Sequence, residues 1–513
     1  MTMSKTQPLP LLRHHLTSEN ERRRHDVIRQ QPIKILQIGE GNFLRGFADW
    51  MIHEMNASGK YHGSVVLTPP TPRGGAKLEK LAKQEGLYTL VQQGLQNGEK
   101  VEKRQLISVF RDYVNPYADW ESFLQLAELE SLDVVISNTT EAGLTYTELD
   151  YVPGEPMVNY PARLTVFLHR RFQTFGNDPK RGLMILPCEL VENNGDMLKS
   201  YVLRYAREFG FGEDFCQWVE QHQLFLNNLV DRIVTGMPQA DEYARLTGNW
   251  GYEDHFLTSA EPYYIWVIEG DSSLDQRLPL VQTGLNVKWT QDLQPYRQRK
   301  VHILNGAHTL MMPLGVLHNR TTVRELMEDE QLGSWVKQTI AEEVIPSLSL
   351  PADELQRYAE ETYERFYNPY LEHRLMDIAM NSLSKFQARV LPVLKTYTDK
   401  NGHLPQQIVR GFSALLLLYR VQPIEQEGTV LFRSFTLEGQ PLDIRDNAEW
   451  LQQLAQHWSE GSSQHETDGV VDYSKAVQRI LSDTRIWQED LTAIPGLVEM
   501  VASNLNDMEA GRL

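Results

Sequence analysis

The run Ile33-Lys34-Ile35-Leu36-Gln37-Ile38 is short, rich in β-branched residues and ends at Gly39, and this junction limits the possible folds more than any other segment. Such a run reads as a buried strand entering a tight turn. The turn, Gly39-Glu40-Gly41-Asn42-Phe43-Leu44-Arg45-Gly46, leads into a helix predicted from Phe43 through Met55. Glycine lets the backbone turn with positive φ and lets a phosphate approach the amides at a helix start. The spacing is G-x-G-x-x-x-x-G, with the third glycine displaced from G-x-G-x-x-G. Two readings stand on the residues alone: a dinucleotide-binding turn, or a plain strand-to-helix turn.

Further apolar runs, Ser64 to Leu67, Asp133 to Ser137 and Gly182 to Leu186, read as buried strands of a parallel sheet with helical patterns between them. Tyr263 to Ile268 and Leu285 to Trp289 also read as strands. From about Pro295 helical patterns dominate: His302 to Leu317, Val323 to Val344, Glu354 to Phe366, Pro369 to Asn381, Ser384 to Tyr397 and Gln406 to Tyr419. Asn368-Pro369 and Asn401-Gly402 act as stops. Strand-like pieces interrupt Pro423 to Asp443. The expected fold is α/β, a Rossmann-type doubly wound sheet followed by a mostly α-helical C-terminal domain. The expected division is a polar N-terminal extension (1–30), a dinucleotide-binding domain (31–292) and a helical substrate-binding domain (293–513).

Composition narrows the partners. Against 50 Lys and Arg stand 68 Asp and Glu, a net charge of -18 that repels a nucleic-acid backbone and an anionic membrane surface. A small acidic substrate stays open, because a few local cations outweigh distant carboxylates. The two cysteines, Cys188 and Cys216, form no C-x-x-C pair, which points to a reducing, cytoplasmic setting. The arginine-bearing start has no apolar run of signal-peptide length, and no stretch approaches a membrane span. The number of subunits is not readable from the chain.

Several segments could carry chemistry. Ser137-Asn138-Thr139-Thr140-Glu141-Ala142-Gly143 follows a strand at its carboxyl end, where open α/β sheets bind ligands. Asn138 or Thr139 faces a cofactor there, or caps a turn. The second strand ends Val65-Val66-Leu67-Thr68-Pro69-Pro70 with no acid for the ribose of NAD, while Arg73 just beyond could meet a 2′-phosphate. Leu186-Pro187-Cys188-Glu189-Leu190 leads to Asn194, a possible cap for a helix near Met197. Lys300, Asn305 and His308 are the most specific set. On a regular helix Asn305 and His308 stand about 140° and about 80° around from Lys300, so one broad face presents all three. An amine can exchange a proton with an alcohol, an amide can hold an oxyanion, and an imidazole can orient a hydroxyl, which fits carbonyl reduction without a metal. The alternative is a surface lysine and a satisfied histidine. No metal-ligand spacing and no G-x-S-x-G elbow occurs.

Taken in order, Gly39-Glu40-Gly41-Asn42-Phe43-Leu44-Arg45, Thr140-Glu141-Ala142-Gly143, Val230-Asp231-Arg232-Ile233 and Lys300-x4-Asn305-x2-His308 resemble the mannitol dehydrogenase family of long-chain, metal-independent polyol dehydrogenases. The resemblance runs nearly the whole chain. It implies an NAD-binding Rossmann domain, a helical substrate domain, and an active site between them. By position it makes Lys300 the general acid/base, Asn305 an oxyanion donor and His308 a substrate-orienting group. Asp231 would support the site and Glu141 would border its solvent channel. Gly39 to Arg45, Thr68, Asn138, Thr139 and Thr140 would meet NAD. Within the family the motifs are most similar to the branch that reduces the ketone of D-tagaturonate to D-altronate. Branches acting on fructuronate or mannitol are the alternatives, and a non-catalytic dinucleotide-binding sugar sensor is the rival of another class. Polyol-oxidising relatives carry C-D-N where this chain has Cys188-Glu189-Leu190, so a second oxyanion amide is missing at Leu190, and Asn193 or Asn194 is its candidate replacement. A uronate carboxylate calls for positive charge, for which Arg365, His373, Lys385 and Arg389 are the candidates.

Overall fold

A computed structural model describes residues 9–426, 429–461 and 472–512. The chain divides into two units, Met1–Leu293 and Gln294–Leu513. Among the described residues no helix is long and apolar enough to cross a membrane.

The first unit is built on six strands: β1 (Ile33–Ile38), β2 (Ser64–Thr68), β3 (Phe110–Tyr113), β4 (Val134–Ser137), β5 (Met184–Pro187) and β6 (Leu224–Phe225). Their order is β3-β2-β1-β4-β5-β6, and each neighbouring pair is parallel. This is the doubly wound order, whose switch point falls between β1 and β4. Every residue of β2, β4 and β5 is buried, as expected for strands covered on both faces. One apolar cluster lies around Phe47, Met51 and Trp266, and another around Phe123, Phe167 and Trp218.

Two local features depart from expectation. The predicted helix after Gly41 breaks at Phe47 (φ -129°, ψ -84°), giving α2 (Asn42–Gly46) and α3 (Ala48–Ala57). Gly46 lies where an added Cβ would stand 2.8 Å and 2.9 Å from the two Val234 methyls, so the displaced third glycine serves a close approach of its own. A long antiparallel hairpin, Tyr88–Gln96 with Glu99–Ile107, was not foreseen. Its two-residue turn is Asn97-Gly98, both at positive φ, the combination a type I′ turn requires.

The polar start forms α1 (Glu19–Gln30), closed by a capping box in which Ser18 and Glu21 bond reciprocally. Ahead of it Leu12 is fully buried with Leu87, Leu106 and Tyr252.

The second unit is mainly helical. Its central helix, Gly306–Leu317, is buried along nearly its whole length and packs against Gln406–Leu418. The pattern predicted over Pro369 to Asn381 yields only the short helix Leu375–Ile378, and that over Ser384 to Tyr397 breaks at Val390. Val323 to Val344 divides at Asp329, whose side chain caps the second piece through Gln331 and Leu332. The strand-like pieces after Pro423 are a three-stranded antiparallel sheet, Gln422–Gln426, Thr429–Phe435 and Pro441–Ile444.

Candidate functional site

In the first unit the carboxyl ends of β2, β1 and β4 bring Thr68, Gly39 and Asn138 side by side. The Gly39 amide donates to the Thr68 carbonyl at 2.9 Å, and the Asn138 amide donates to the Ile38 carbonyl at 3.0 Å. Gly39 has φ +125°, and a Cβ there would stand 2.7 Å from the Asn138 carbonyl oxygen. Only glycine fits. At Gly41 the position of a side chain is open space, which leaves the backbone accessible to a ligand.

Glu40 answers the missing acid of the second strand. Its buried carboxylate lies beside Pro69 and Gly74, just past the end of β2, with Lys77 Nζ at 3.6 Å from one oxygen. The other oxygen, Oε2, is buried without a hydrogen-bond partner. A ribose hydroxyl would supply the donor that a buried carboxylate oxygen requires. The open face at Gly41 and this orphaned oxygen fit a dinucleotide.

Arg45 turns inward. Nη1 donates to the Glu40 carbonyl at 2.6 Å, Nη2 to Asn42 Oδ1 at 2.6 Å and Nε to Thr258 Oγ1 at 3.1 Å. With all three nitrogens engaged it braces the turn, and Leu44 is fully buried in the core. Both therefore act on the turn's shape, whereas the sequence reading placed them against the cofactor.

The next strand ends are tied by Glu189. Its Oε1 accepts from the Thr139 amide at 2.8 Å and from Thr139 Oγ1 at 3.0 Å, and Oε2 accepts from Ser137 Oγ at 3.1 Å. Burial raises its pKa, and the donors from Thr139 and Ser137 oppose that rise. Asn138 Nδ2 donates to the Cys188 carbonyl at 2.7 Å. Thr140 follows with φ +85°, an unusual conformation for a β-branched residue. Glu141 begins a short turn, and its side chain lies outside the described residues.

Asn194 is a correction. Its Nδ2 donates to the carbonyls of Pro187, Glu189 and Asn228, and its Oδ1 accepts from the amides of Gly195 and Asn228. No donor remains for a substrate, and the residue is a clasp between the exit of β5 and the strand Asn228–Asp231. It is not the expected cap either, since the helix starts at Asn194 itself. Leu190, at the position of the relatives' second amide, is exposed. Asp231 ends its strand, buried and paired in register with Ile265.

In the second unit Lys300 to Asn305 is a π-helix between the α-helices Gln294–Arg299 and Gly306–Leu317. This corrects the regular-helix geometry. In the i→i+5 pattern Asn305 stands one turn above Lys300 instead of about 140° around it. Such single π turns occur frequently at functional sites. His302, which the sequence reading passed over, places Nδ1 2.7 Å from the Arg389 carbonyl and so ties this turn to the end of helix Ser382–Arg389.

His308 lies one turn further along. Its ring centroid is 4.7 Å from that of Phe366 and 4.8 Å from that of His373, and Nε2 is sealed without a partner. Burial depresses its pKa well below the ordinary range, and His373, Arg365, Arg389 and Lys385 depress it further. Its ring is therefore neutral near pH 7. Arg389 Nη1 reaches Thr309 Oγ1 at 3.4 Å, and Lys385 Nζ donates to the Ile378 carbonyl at 2.9 Å. Arg365, Lys385 and Arg389 thus bring positive charge to bear on His308, while His373, which packs against it, is itself held neutral near pH 7 by burial.

Comparison with known proteins matches residues 33–282 to the mannitol dehydrogenase Rossmann domain and residues 292–509 to the mannitol dehydrogenase C-terminal domain. The chain is 39% identical over 482 residues to an altronate oxidoreductase of Bacillus subtilis (strain 168), covering 94% of each. The chain belongs to the mannitol dehydrogenase family. A second member, altronate oxidoreductase of Escherichia coli (strain K12), is 40% identical over 478 residues, covering 93% of this chain and 94% of that protein. Among solved structures of the mannitol dehydrogenase fold, a substrate-free D-sorbitol dehydrogenase aligns with a TM-score of 0.73 at 19% identity, covering 94% of each chain. Mannitol 2-dehydrogenase of Pseudomonas fluorescens aligns at 0.61 and 19%, covering 94% of this chain and 93% of that one.

Proposed function

We propose that this member of the family is an altronate oxidoreductase. It reversibly reduces the ketone of D-tagaturonate with NADH and a proton to give D-altronate and NAD. The observation that carries this reading is the set of cationic side chains beside His308, with Arg389 Nη1 3.4 Å from the neighbouring Thr309 Oγ1 and Arg365 and Lys385 acting on the same imidazole, suited to a sugar acid more than to a neutral polyol. The 39% and 40% identical relatives named for that activity support it.

In this reading residues 31–292 hold the dinucleotide and residues 293–513 the sugar acid. The Gly39–Gly41 turn receives the pyrophosphate, and Glu40 Oε2 accepts a ribose hydroxyl, which favours NAD over a 2′-phosphorylated cofactor. Bound nicotinamide supplies the hydride to the ketone carbon. Lys300 gives a proton to the ketone oxygen, so that one C–H and one O–H bond form. In the oxidative direction the neutral Lys300 amine takes that proton back. Asn305 stabilises the developing oxyanion, and neutral His308 directs Nε2 at a substrate hydroxyl. Asp231 supports the site and Glu141 borders its water path, roles taken from the family resemblance. A small-molecule substrate in the cytoplasm, with no nucleic-acid partner, completes the reading. It accords with the charge of -18 and the two free, buried cysteines.

The test is NADH oxidation with D-tagaturonate, D-fructuronate or D-fructose as acceptor, for the unsubstituted protein and Lys300→Ala. Preference for tagaturonate and a loss of about a thousandfold or more in kcat with retained NADH binding are expected. Equal use of fructose would refute the sugar-acid assignment. Turnover surviving in Lys300→Ala would remove the lysine from the chemistry.

A further inference from the structure

Arg23 and Arg24 play no part in the proposed reaction, yet they border a cavity. This space, about 210 Å³, is lined by Arg23, Arg24, Val27 and Ile28 of α1 and by His53 and Ala57 of α3. Gln31, just ahead of β1, and Ser108, just ahead of β3, also reach it. The cavity therefore lies at the amino ends of the strands, whereas Gly39, Thr68 and Asn138 stand at their carboxyl ends. The six residues of β1 separate the two edges by about 20 Å.

His53 is the telling side chain. It is 4% exposed, and Nδ1 lies 3.3 Å from the Ser108 amide nitrogen and 3.4 Å from the Ser108 carbonyl oxygen. A backbone amide can only donate, so the contact from the Ser108 N–H makes Nδ1 the acceptor and puts the ring proton on Nε2. Nε2 has no partner in the protein, and an unmet buried donor is costly enough to call for an explanation. Burial lowers the imidazole's pKa, so the ring is neutral near pH 7. None of the residues lining the cavity is acidic. The two carboxylates that act on His53 are engaged elsewhere, Glu21 with the Ser18 amide and Arg104, and Glu54 with Gln105.

We propose that this cavity is a second ligand site, for a small organic acid whose apolar body rests on Val27, Ile28 and Ala57. Its carboxylate meets Arg23, Arg24 and the Nε2–H of His53. Two guanidinium groups match the charge, a neutral imidazole supplies a donor, and aliphatic side chains fill the space between.

Calorimetric titration of the full-length, NADH-saturated protein tests it, with benzoate as the probe and inorganic phosphate and chloride as controls at matched ionic strength. We expect a benzoate-binding component that Arg23→Ala/Arg24→Ala weakens at least tenfold while turnover is unchanged, with phosphate binding no better than chloride. The His53 Nε2 resonance should move on benzoate addition in the unsubstituted protein and stay still in the double variant. Superimposable isotherms for the two proteins, phosphate binding as tight as benzoate, or a His53 resonance unmoved by benzoate would each overturn the proposal.

Discussion

Replacing Asp49 with asparagine should stabilise the first unit, increasingly so as pH rises. Asp49 opens α3 with its side chain fully buried, and Gln37 Nε2 donates to its Oδ2 at 3.4 Å. Burial pushes its pKa from 3.8 to about 7, against the smaller pull of Gln37, Arg45 and Tyr88. The folded chain therefore keeps a proton that the unfolded chain releases near pH 4. The stabilisation linked to that proton is complete below pH 4 and lost as pH rises through about 7. A shift of roughly three units at about 1.36 kcal/mol each amounts to about 4 kcal/mol over the whole window. Asparagine keeps the shape and the partner without the charge. Asp49→Asn should thus gain about 2–3 kcal/mol on the unsubstituted protein between pH 5 and pH 8 and level off above that. Urea-dependent hydrogen exchange, read on peptides from residues 33–57, isolates this unit from the other. A stability difference that does not change with pH would refute the argument, because a buried carboxyl that titrates normally has no such slope.

Asn194→Ala should destabilise the first unit by about 2–4 kcal/mol through the buried amides and carbonyls it leaves unpaired. Its KM for the sugar acid should hold, and a raised KM at unchanged stability would return Asn194 to the substrate. Arg389→Ala should lower kcat/KM for D-tagaturonate by roughly ten- to hundredfold, about 1.5–3 kcal/mol, with little effect on D-fructose. Equal losses on both acceptors would detach Arg389 from the carboxylate. Glu40→Gln should weaken NADH binding by about 1–2 kcal/mol and narrow the preference over NADPH, both measurable by fluorescence titration. An unchanged ratio of the two affinities would place the ribose elsewhere.

Much of this was legible where one physical signal dominates. Short apolar runs marked β2, β4 and β5 because strands buried on both faces leave no polar alternation to confuse, and three isoleucines ending at Gly39 marked β1. The hairpin of Tyr88–Gln96 and Glu99–Ile107 carried its own signal in Asn97-Gly98, which went unread. The helix breaks were marked as well, at Val390 by Pro392 in the first turn of the next helix and at Phe47 by the preceding Gly46, and both marks went unread because the apolar pattern runs on across them. At the site, residue types were readable but their allegiance was not. Arg45 and Asn194 look like ligand residues in the sequence, yet their polar groups are consumed within the protein, in part by segments far along the chain, the Thr258 hydroxyl for Arg45 and the Asn228 backbone for Asn194. Conversely, Glu40 reaches the edge of β2 from the preceding turn, a placement that strand-by-strand reading misses.

The π turn at Lys300–Asn305 is the place where this segment can change length by one residue. A wide turn holds one residue more than the α-helical turn it replaces. Removing a single residue such as Val301 would let the backbone close into ordinary α-helix, in which Lys300 and Asn305 become an i→i+4 pair and still stand one turn apart. The regular helix that follows, Gly306–Leu317, has no such slack. Removing Ala307 from it would swing Lys300 and Asn305 by about 100° relative to His308. That deletion should give a folded but inert protein, whereas loss of Val301 should keep the column.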